Sequence, residues 1–163
     1  MTERPASHIR LTLRPPRPDD APAIAELETA GLPEALRVDP ALAPLLAIQA
    51  RARAASLTSA FPEALNRVAE LEGQTVARLI TAREADRLHI VDVAVTPSAR
   101  RRGIGAALLD ALKAEAGPAP LTANIFPENH ASLALFAAAG FELRHEDGSA
   151  QVQAHWENDV IDS

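Results

Sequence analysis

The chain has 163 residues, of which 47% are hydrophobic and 3% aromatic, and its formal net charge is −6 at pH 7. This length fits a single domain with a core built mainly from Ala, Leu, Val and Ile, and the acidic balance argues against nucleic-acid binding. The absence of cysteine excludes disulfides and thiol chemistry. No apolar run approaches ~18 residues and the N-terminus lacks a signal-peptide segment, so we expect no membrane span and a cytoplasmic location.

The first half of the chain is predicted to hold a strand, two helices and a β-hairpin. The prolines of 15–18 end the first strand, and Asp19 or Asp20 can cap the helix that follows. Glu-Gly-Gln at 72–74 is a hairpin signal. The second helix is rich in alanine and is expected to turn four apolar residues inward: Leu42, Leu45, Leu46 and Ile48. The predicted ranges are 8–14 (strand), 20–29 and 41–59 (helices), and 66–71 and 75–83 (strands).

The second half is predicted to alternate strands and helices before a final hairpin. In the helix that starts at Gly103, apolar residues recur every four positions at Ile104, Leu108 and Leu112, and Gly117 ends it. The other predicted elements are strands 87–95 and 121–125, a helix opened by Asn129, and strands 141–146 and 150–156. In strand 87–95, alternation places His89, Val91, Val93 and Val95 on one face and Leu88, Ile90, Asp92 and Ala94 on the other.

A basic, glycine-containing turn joins strand 87–95 to the helix after it. The first N–H groups of a helix lack intrahelical partners, and the helix dipole adds positive charge at the same end. Glycine at 103 and 105 removes the Cβ atoms that would hold a phosphate oxygen away. Arg100, Arg101 and Arg102 add forked donors. Residues 100–106 are therefore predicted to bind a pyrophosphate.

Two familiar phosphate loops fit this turn badly. No Lys follows either glycine, as a P-loop requires. A dinucleotide fingerprint needs a third small residue where Leu108 stands, and it needs the glycines directly after the strand, whereas 96–102 intervene. A nucleotide-binding function would rest on Gly103 and Gly105 alone.

The spacing Arg100-x-x-Gly103-x-Gly105, preceded by Val95-x-Pro97, resembles the acetyl-CoA loop of the GCN5-related N-acetyltransferase (GNAT) superfamily. A second segment, 129–142, resembles the later motif of that family: Asn opens a short helix, an aromatic follows a Leu, and Gly-Phe closes it. Leu-Thr-Leu-Arg-Pro at 11–15 resembles its usual opening. The resemblance covers one domain, 8–157, and leaves 1–7 and 158–163 as tails.

The resemblance implies an α/β fold, a mixed, mostly antiparallel central sheet flanked by helices in the order βααβββαβαββ. It also implies acetyl transfer from acetyl-CoA, without a metal, to a primary amine of a small molecule or protein. The pantetheine arm would lie between the central strand and the next one. The residues it assigns to the cofactor are Val93, Ala94, Val95, Arg100, Arg101, Arg102, Gly103, Ile104, Gly105, Ala106, Asn129, Ser132 and Phe136.

An amine acceptor arrives protonated, so a base helps the reaction. Several GNAT branches place a Glu or His at the offset of His89, and a His suits the task because its pKa is near ~6.5. Asp92 is the competing base. It stands in an apolar run, so its burial would demand a partner, and a structural or substrate-binding role is the stronger expectation for it.

The family usually has Tyr at the position of Phe136, where the hydroxyl is thought to protonate the departing thiolate, and this chain has no Tyr. A thiol of pKa near ~8.5 leaves tolerably unaided, so we predict slower or acid-independent turnover. The alternative is a non-catalytic acyl-CoA-binding sensor or assembly subunit. The family shapes its acceptor pocket with 31–66, whose polar residues do not identify an acceptor: Glu34, Arg37, Asp39, Gln49, Arg51 and Arg53. Pairing into a homodimer, through 150–156 or elsewhere, is left open.

Overall fold

The computed structural model describes residues 9–29, 32–100 and 102–158. In these ranges seven strands form one sheet in the order β1-β2-β3-β4-β5-β7-β6. Every neighbouring pair is antiparallel except β4 and β5. The strands are β1 Thr12–Arg14, β2 Leu65–Leu71, β3 Gln74–Arg83, β4 Leu88–Val95, β5 Leu121–Ile125, β6 Glu142–His145 and β7 Val152–Trp156. The predicted mixed, mostly antiparallel sheet is confirmed.

The described residues form five α-helices beside the sheet: α1 Ala21–Thr29, α2 Glu34–Arg37, α3 Ala43–Ala60, α4 Ile104–Ala116 and α5 His130–Ala138. The predicted order lacked α2, which is a single turn. The first strand starts at Thr12, so the prediction of a strand from residue 8 was too long. The predicted tails lie outside the described residues, apart from Asn158.

The main core lies between the sheet and helices α4 and α5. The predicted stripe along α4 is confirmed, because Ile104, Leu108 and Leu112 are all buried. Phe136 of α5 and Phe141 continue this core and pack edge to face, with their ring centres 4.9 Å apart. Burial of large apolar side chains is the main term that stabilises such a layer.

Helix α3 contributes much less to the core than the sequence predicted. Leu45 and Ile48, expected to point inward, are 51% and 62% exposed. At about 100° per residue, Leu42 and Leu46 lie within one narrow stripe, and Leu45 and Ile48 fall outside it. Leu42 and Leu46 are half-buried accordingly. The prediction was therefore wrong for Leu45 and Ile48, since an alanine-rich helix offers no broad apolar face.

A β-bulge in β4 changes which side chains share a face. Thr81 of β3 pairs with Ile90 and Ile80 pairs with Asp92, so Val91 is the extra residue. Because a bulge resets the alternation of side chains, His89 and Asp92 come to one face, and Val93 and Val95 come to the other. The predicted grouping, with His89 on the face of Val93 and Val95 and opposite Asp92, is corrected.

Strands β4 and β5 separate immediately after this bulge. Their parallel pairing runs from Leu88–Leu121 to Ile90–Ala123, although β4 continues to Val95 and β5 to Ile125. The backbone of β4 beyond Ile90 therefore keeps its antiparallel partner β3 and leaves its β5 side open. This opening sets the position of the candidate site.

Candidate active site

A cavity of about 350 Å³ lies where β4 and β5 separate. It brings together six residues predicted from the sequence: His89, Asp92, Val93, Asn129, Ser132 and Phe136. Its other walls come from the end of α3 and the residue after it, from β4, from β5 and the residue after it, and from the residue before β7. These wall residues are Leu57, Phe61, Ile90, Val91, Ala123, Asn124, Ile125, Phe126 and Gln151. The cavity thus combines unpaired strand edges, apolar walls and two ionisable side chains.

His89 is held firmly in one wall of the cavity. Its side chain is 6% exposed, its Nδ1 lies 2.7 Å from the hydroxyl of Thr122, and the ring of Phe61 stacks on it at 5.7 Å. Burial lowers the pKa of His89 below its ordinary value; Arg87 acts in the same direction and Glu84 opposes it. The imidazole is therefore neutral at pH 7.

Asp92 has a charged hydrogen-bond partner, as its place in an apolar strand was predicted to require. Its Oδ2 accepts hydrogen bonds from Nε and Nη2 of Arg78, at 3.2 and 3.0 Å. Arg78 also donates through Nη1 to Glu28 of α1, at 3.3 Å. Asp92 is thus tied into a chain of alternating charges that runs from the cavity to α1.

Helix α4 presents an open N-terminus beyond the end of β4. Gly103 precedes it with a left-handed backbone (φ 77°), and no side chain among the described residues caps it. The first intrahelical bond is donated by the Ala107 N–H to the Gly103 carbonyl, at 3.0 Å, so the N–H groups before it face outward, as at other anion sites. Arg100 and Arg102 are exposed beside them. Arg101 lies outside the described residues.

Gly105 serves a different purpose from the predicted one. A Cβ built on Gly105 would lie 2.9 Å from Cδ2 of Leu135, so the missing side chain makes room for α5 and not for a phosphate. At Gly103 a Cβ would meet only an ordinary contact, 3.5 Å from Ile9, and there glycine matches the left-handed backbone. Of the neighbouring residues, Ile104 is buried and Ala106 half-buried.

Helix α5 begins at the edge of the cavity in the way the sequence predicted. Oδ1 of Asn129 accepts a hydrogen bond from the Ser132 N–H, at 3.1 Å, so Asn129 caps the helix. Gly140, after the last turn, has a left-handed backbone, as is common where a helix ends. Phe136, one turn in from Ser132, is 4% exposed and lines the inner end of the cavity.

A second, larger groove lies between α1 and α3, with a volume of about 720 Å³. Its charged and polar lining residues are Glu26, Glu28, Thr29, Gln49, Arg51 and Arg53. Asp39 instead caps the turn before α3 by accepting from the Ala41 N–H, and the side chains of Glu34 and Arg37 lie outside the described set. Glu28 links this groove to the cavity through Arg78 and Asp92.

Residues 34–141 match the family model described as "Acetyltransferase (GNAT) family". The chain belongs to this family. A mycothiol acetyltransferase from Clavibacter sepedonicus is 33% identical over 143 residues, which cover 81% of this chain and 44% of that protein. An L-2,4-diaminobutyric acid acetyltransferase from Nocardia farcinica is 39% identical over 77 residues, or 44% of this chain and 40% of that protein. The chain thus spans less than half the length of these curated relatives.

Solved structures share the fold of this GNAT chain at low sequence identity. An acetyltransferase from Thermus thermophilus has a TM-score of 0.65 and 19% identity, covering 91% of this chain and 97% of that one. The PaiA N-acetyltransferase from Thermoplasma acidophilum, solved in complex with coenzyme A, has a TM-score of 0.61 and 13% identity, covering 92% and 100%. At these identities the likeness establishes the fold.

Three residues that contact the predicted residues of the candidate site were not predicted from the sequence: Phe61, Arg78 and Thr122. Each touches a predicted residue only through pairing between distant segments. The polar Arg78 and Thr122 within apolar strands were the available signal. Within the described ranges, no cluster of three or more His, Cys, Asp or Glu residues is arranged for a metal ion. No helix in that part of the chain is both long and apolar enough to cross a membrane.

Proposed function

We propose that this protein transfers an acetyl group from acetyl-CoA to a primary amine of a small molecule or a protein. The observation that carries the proposal is the separation of β4 from β5 after the Ile90–Ala123 pair. It leaves a strand edge free to hydrogen-bond an extended, amide-containing arm such as pantetheine. The uncapped start of α4, beyond the end of the same strand, supports a place for the diphosphate.

The proposed cofactor contacts follow from this layout. The backbones of Val93, Ala94 and Val95 would bond the pantetheine arm, and residues 100–106 would hold the pyrophosphate. Asn129, Ser132 and Phe136 would line the other side of the arm. Gly105 would contribute its backbone N–H. The space beside its Cα is occupied by Leu135 and is therefore not available to the phosphate. The PaiA neighbour, solved with coenzyme A, supports a cofactor of this class.

The proposed reaction is a direct transfer. The neutral amine nitrogen attacks the thioester carbonyl carbon, a C–N bond forms and the C–S bond breaks. The nitrogen then gives up one proton to water, and the departing thiolate takes a proton from water. At an amine pKa of ~10.4 the acceptor must first lose a proton. His89 and Asp92 are the ionisable groups of the cavity and remain the predicted catalytic residues. The groove between α1 and α3, whose wall holds Glu26 and Glu28 as well as Arg51 and Arg53, is the proposed approach for the acceptor.

The finer features of the acceptor stay predictions. The names of the two relatives, a mycothiol acetyltransferase and an L-2,4-diaminobutyric acid acetyltransferase, differ in the compound they mention, so they do not select an acceptor for this chain. The cytoplasmic location and a homodimer are likewise predictions from the sequence.

Two measurements test the proposal in order. Isothermal titration with acetyl-CoA is expected to show binding in the micromolar range, and no binding would contradict the proposal. Thiol release from acetyl-CoA is then followed over a panel of polyamines, amino acids and peptide N-termini. We expect at least one amine to release one thiol per acetyl group transferred, with mass spectrometry identifying the acetylated product.

A second function is a non-catalytic acyl-CoA-binding sensor or assembly subunit. Phe136 favours it, because its ring packs against Phe141 at 4.9 Å and offers no hydroxyl where the family usually has one. Tight binding of acetyl-CoA that no amine in the panel consumes would support this function and contradict catalysis.

A further inference from the structure

The direction of one buried hydrogen bond decides what His89 can do. Nδ1 of His89 lies 2.7 Å from Oγ1 of Thr122, its neighbour in the parallel register of β4 and β5. Both side chains are buried, and Thr122 is 2% exposed. A hydroxyl can donate or accept, and a neutral imidazole has one nitrogen of each kind. The bond therefore fixes which ring nitrogen carries the proton.

The surroundings of Thr122 favour one direction. Among the described residues, Nδ1 of His89 is the hydrogen-bond partner of the Thr122 side chain. If Nδ1–H donated to Oγ1, the hydroxyl proton would be buried without an acceptor, and an unsatisfied buried donor is costly. If the hydroxyl donates to Nδ1, both groups are satisfied. We propose that Thr122 donates to Nδ1 and so holds His89 as the neutral tautomer protonated at Nε2.

The Nε2–H group is then available to the cavity. Nε2 makes no hydrogen bond to any residue in the described part of the chain. Among these residues the fully buried side-chain nitrogen without a partner is Nε of Arg67, so the unpartnered Nε2 of His89 is not fully buried. Nε2 therefore keeps access to solvent through the cavity that His89 lines. The stacked ring of Phe61 restricts rotation of the imidazole, and the Thr122 bond sets its angle.

This inference rests on the proposed acetyl transfer and assigns His89 a role different from that of a base. A proton arriving at His89 would have to enter at Nδ1 and displace the hydrogen bond from Thr122. His89 instead donates from Nε2–H to the thioester carbonyl oxygen, which gains negative charge as the C–N bond forms. The ammonium proton of the acceptor passes to water, and no proton leaves His89. Thr122 is the positioning residue of this arrangement.

Charged groups surround this pair from several elements. Arg87 and Glu84 precede His89 and act on it in opposite directions. Asp92, on the same face, is neutralised by Arg78 of β3. His155 of β7 pairs with Thr122 in the sheet, and its Nε2 lies 3.0 Å from Glu157. Among the described residues, none of these six neighbours hydrogen-bonds the His89 ring, so Thr122 remains the group that selects the tautomer.

The tautomer is measured directly by NMR on the intact protein labelled with ¹⁵N-histidine, with His89 assigned by loss of its signals in His89→Gln. At pH 7 we expect Nε2 protonated and Nδ1 unprotonated. A protonated Nδ1, or an imidazolium ring, overturns the inference. Since this measurement needs no acceptor or turnover, its outcome is independent of whether acetyl transfer is found.

Kinetics of matched variants then separate a donor from a base. The amide N–H of His89→Gln can replace Nε2–H as a donor, so this variant should keep activity within about tenfold of the native protein, whereas His89→Ala should lose about 100-fold. Equal losses in both variants would contradict the donor role. Thr122→Val should populate both tautomers and lower kcat about tenfold with little change in KM. Thr122→Ser should restore the single tautomer and the native kcat. A Thr122→Val variant with native tautomer and kcat would also overturn the assignment.

Discussion

His89 and Asp92 share one face of β4 although an unbroken strand would place them on opposite faces. The extra residue Val91 causes this, because Thr81 pairs with Ile90 and Ile80 with Asp92. The same short stretch ends the pairing of β4 with β5 at Ile90–Ala123. The bulge at Val91 therefore coincides with the separation of β4 from β5 and also places His89 and Asp92 on one side of the strand.

The basic turn before α4 can be tested by charge removal. We expect Arg100→Ala and Arg102→Ala each to weaken coenzyme A binding about tenfold, because a guanidinium bonded to a phosphate contributes a charge-assisted hydrogen bond. The dissociation constants are measured by titration calorimetry at two salt concentrations. The difference from the native protein should shrink at high salt.

Two controls make this result specific. Arg144→Ala removes an exposed arginine from β6, at the far edge of the sheet, and should leave the affinity unchanged. Pantetheine lacks the diphosphate, so its affinity should not respond to Arg100→Ala. An equal effect of Arg144→Ala, or an equal loss for pantetheine, would show that the turn does not bind the diphosphate.

Gly105 and Leu135 should be energetically coupled. Alanine is favoured over glycine in a helix by about 1 kcal/mol, but a Cβ at Gly105 would lie 2.9 Å from Leu135. We therefore expect Gly105→Ala to be neutral or destabilising in the native background and stabilising in Leu135→Ala. The expected coupling is about 1–2 kcal/mol, measured by urea unfolding of all four proteins. The same effect in both backgrounds would contradict the packing role.

Asp20 should make the protein sensitive to acid. Its buried carboxylate accepts from Nη1 and Nη2 of Arg14, at 2.8 and 2.9 Å, and from the Thr75 hydroxyl, at 2.6 Å. The Arg14 bonds, followed by the Thr75 bond, hold the pKa of Asp20 far below its ordinary range. A carboxyl whose folded pKa is depressed stabilises the protein above its unfolded pKa of about 3.9 and loses that contribution as the pH falls further.

The measurement is the free energy of unfolding between pH 7 and pH 3. The Asp20→Asn variant should be less stable than the native protein at pH 7, and this difference should shrink below pH 4. Asp19→Asn is the matched control, because Asp19 is exposed and should change stability little at any pH. Parallel pH curves for Asp20→Asn and the native protein would contradict the role given to Asp20.

Phe136→Tyr tests the missing hydroxyl. Phe136 borders the cavity that also holds His89 and Ser132, and a general acid can contribute about 10²–10⁴-fold. We expect the variant to raise kcat, by up to about 100-fold, together with a lower melting temperature because a phenol enters the contact with Phe141. An unchanged rate and pH profile would remove residue 136 from the mechanism.

Local sequence patterns were sufficient for much of the fold. The stripe of Ile104, Leu108 and Leu112, the Asn129 cap and the glycine turn at 103 depend on interactions within one or two helical turns. The order and spacing of the sequence motifs also indicated the family, and the match of residues 34–141 to the family model established it.

The tertiary structure alone decided which side chains meet in the site. The bulge at Val91 arises from pairing with β3, the Thr122–His89 bond from pairing with β5, and the Gly105–Leu135 contact from the packing of α4 on α5. The Thr122–His89 bond joins residues 33 positions apart in the chain, and the Arg78–Asp92 bond joins residues 14 positions apart. No local pattern encodes such distances, because they result from how the whole sheet and its helices minimise exposed apolar surface and unsatisfied polar groups together.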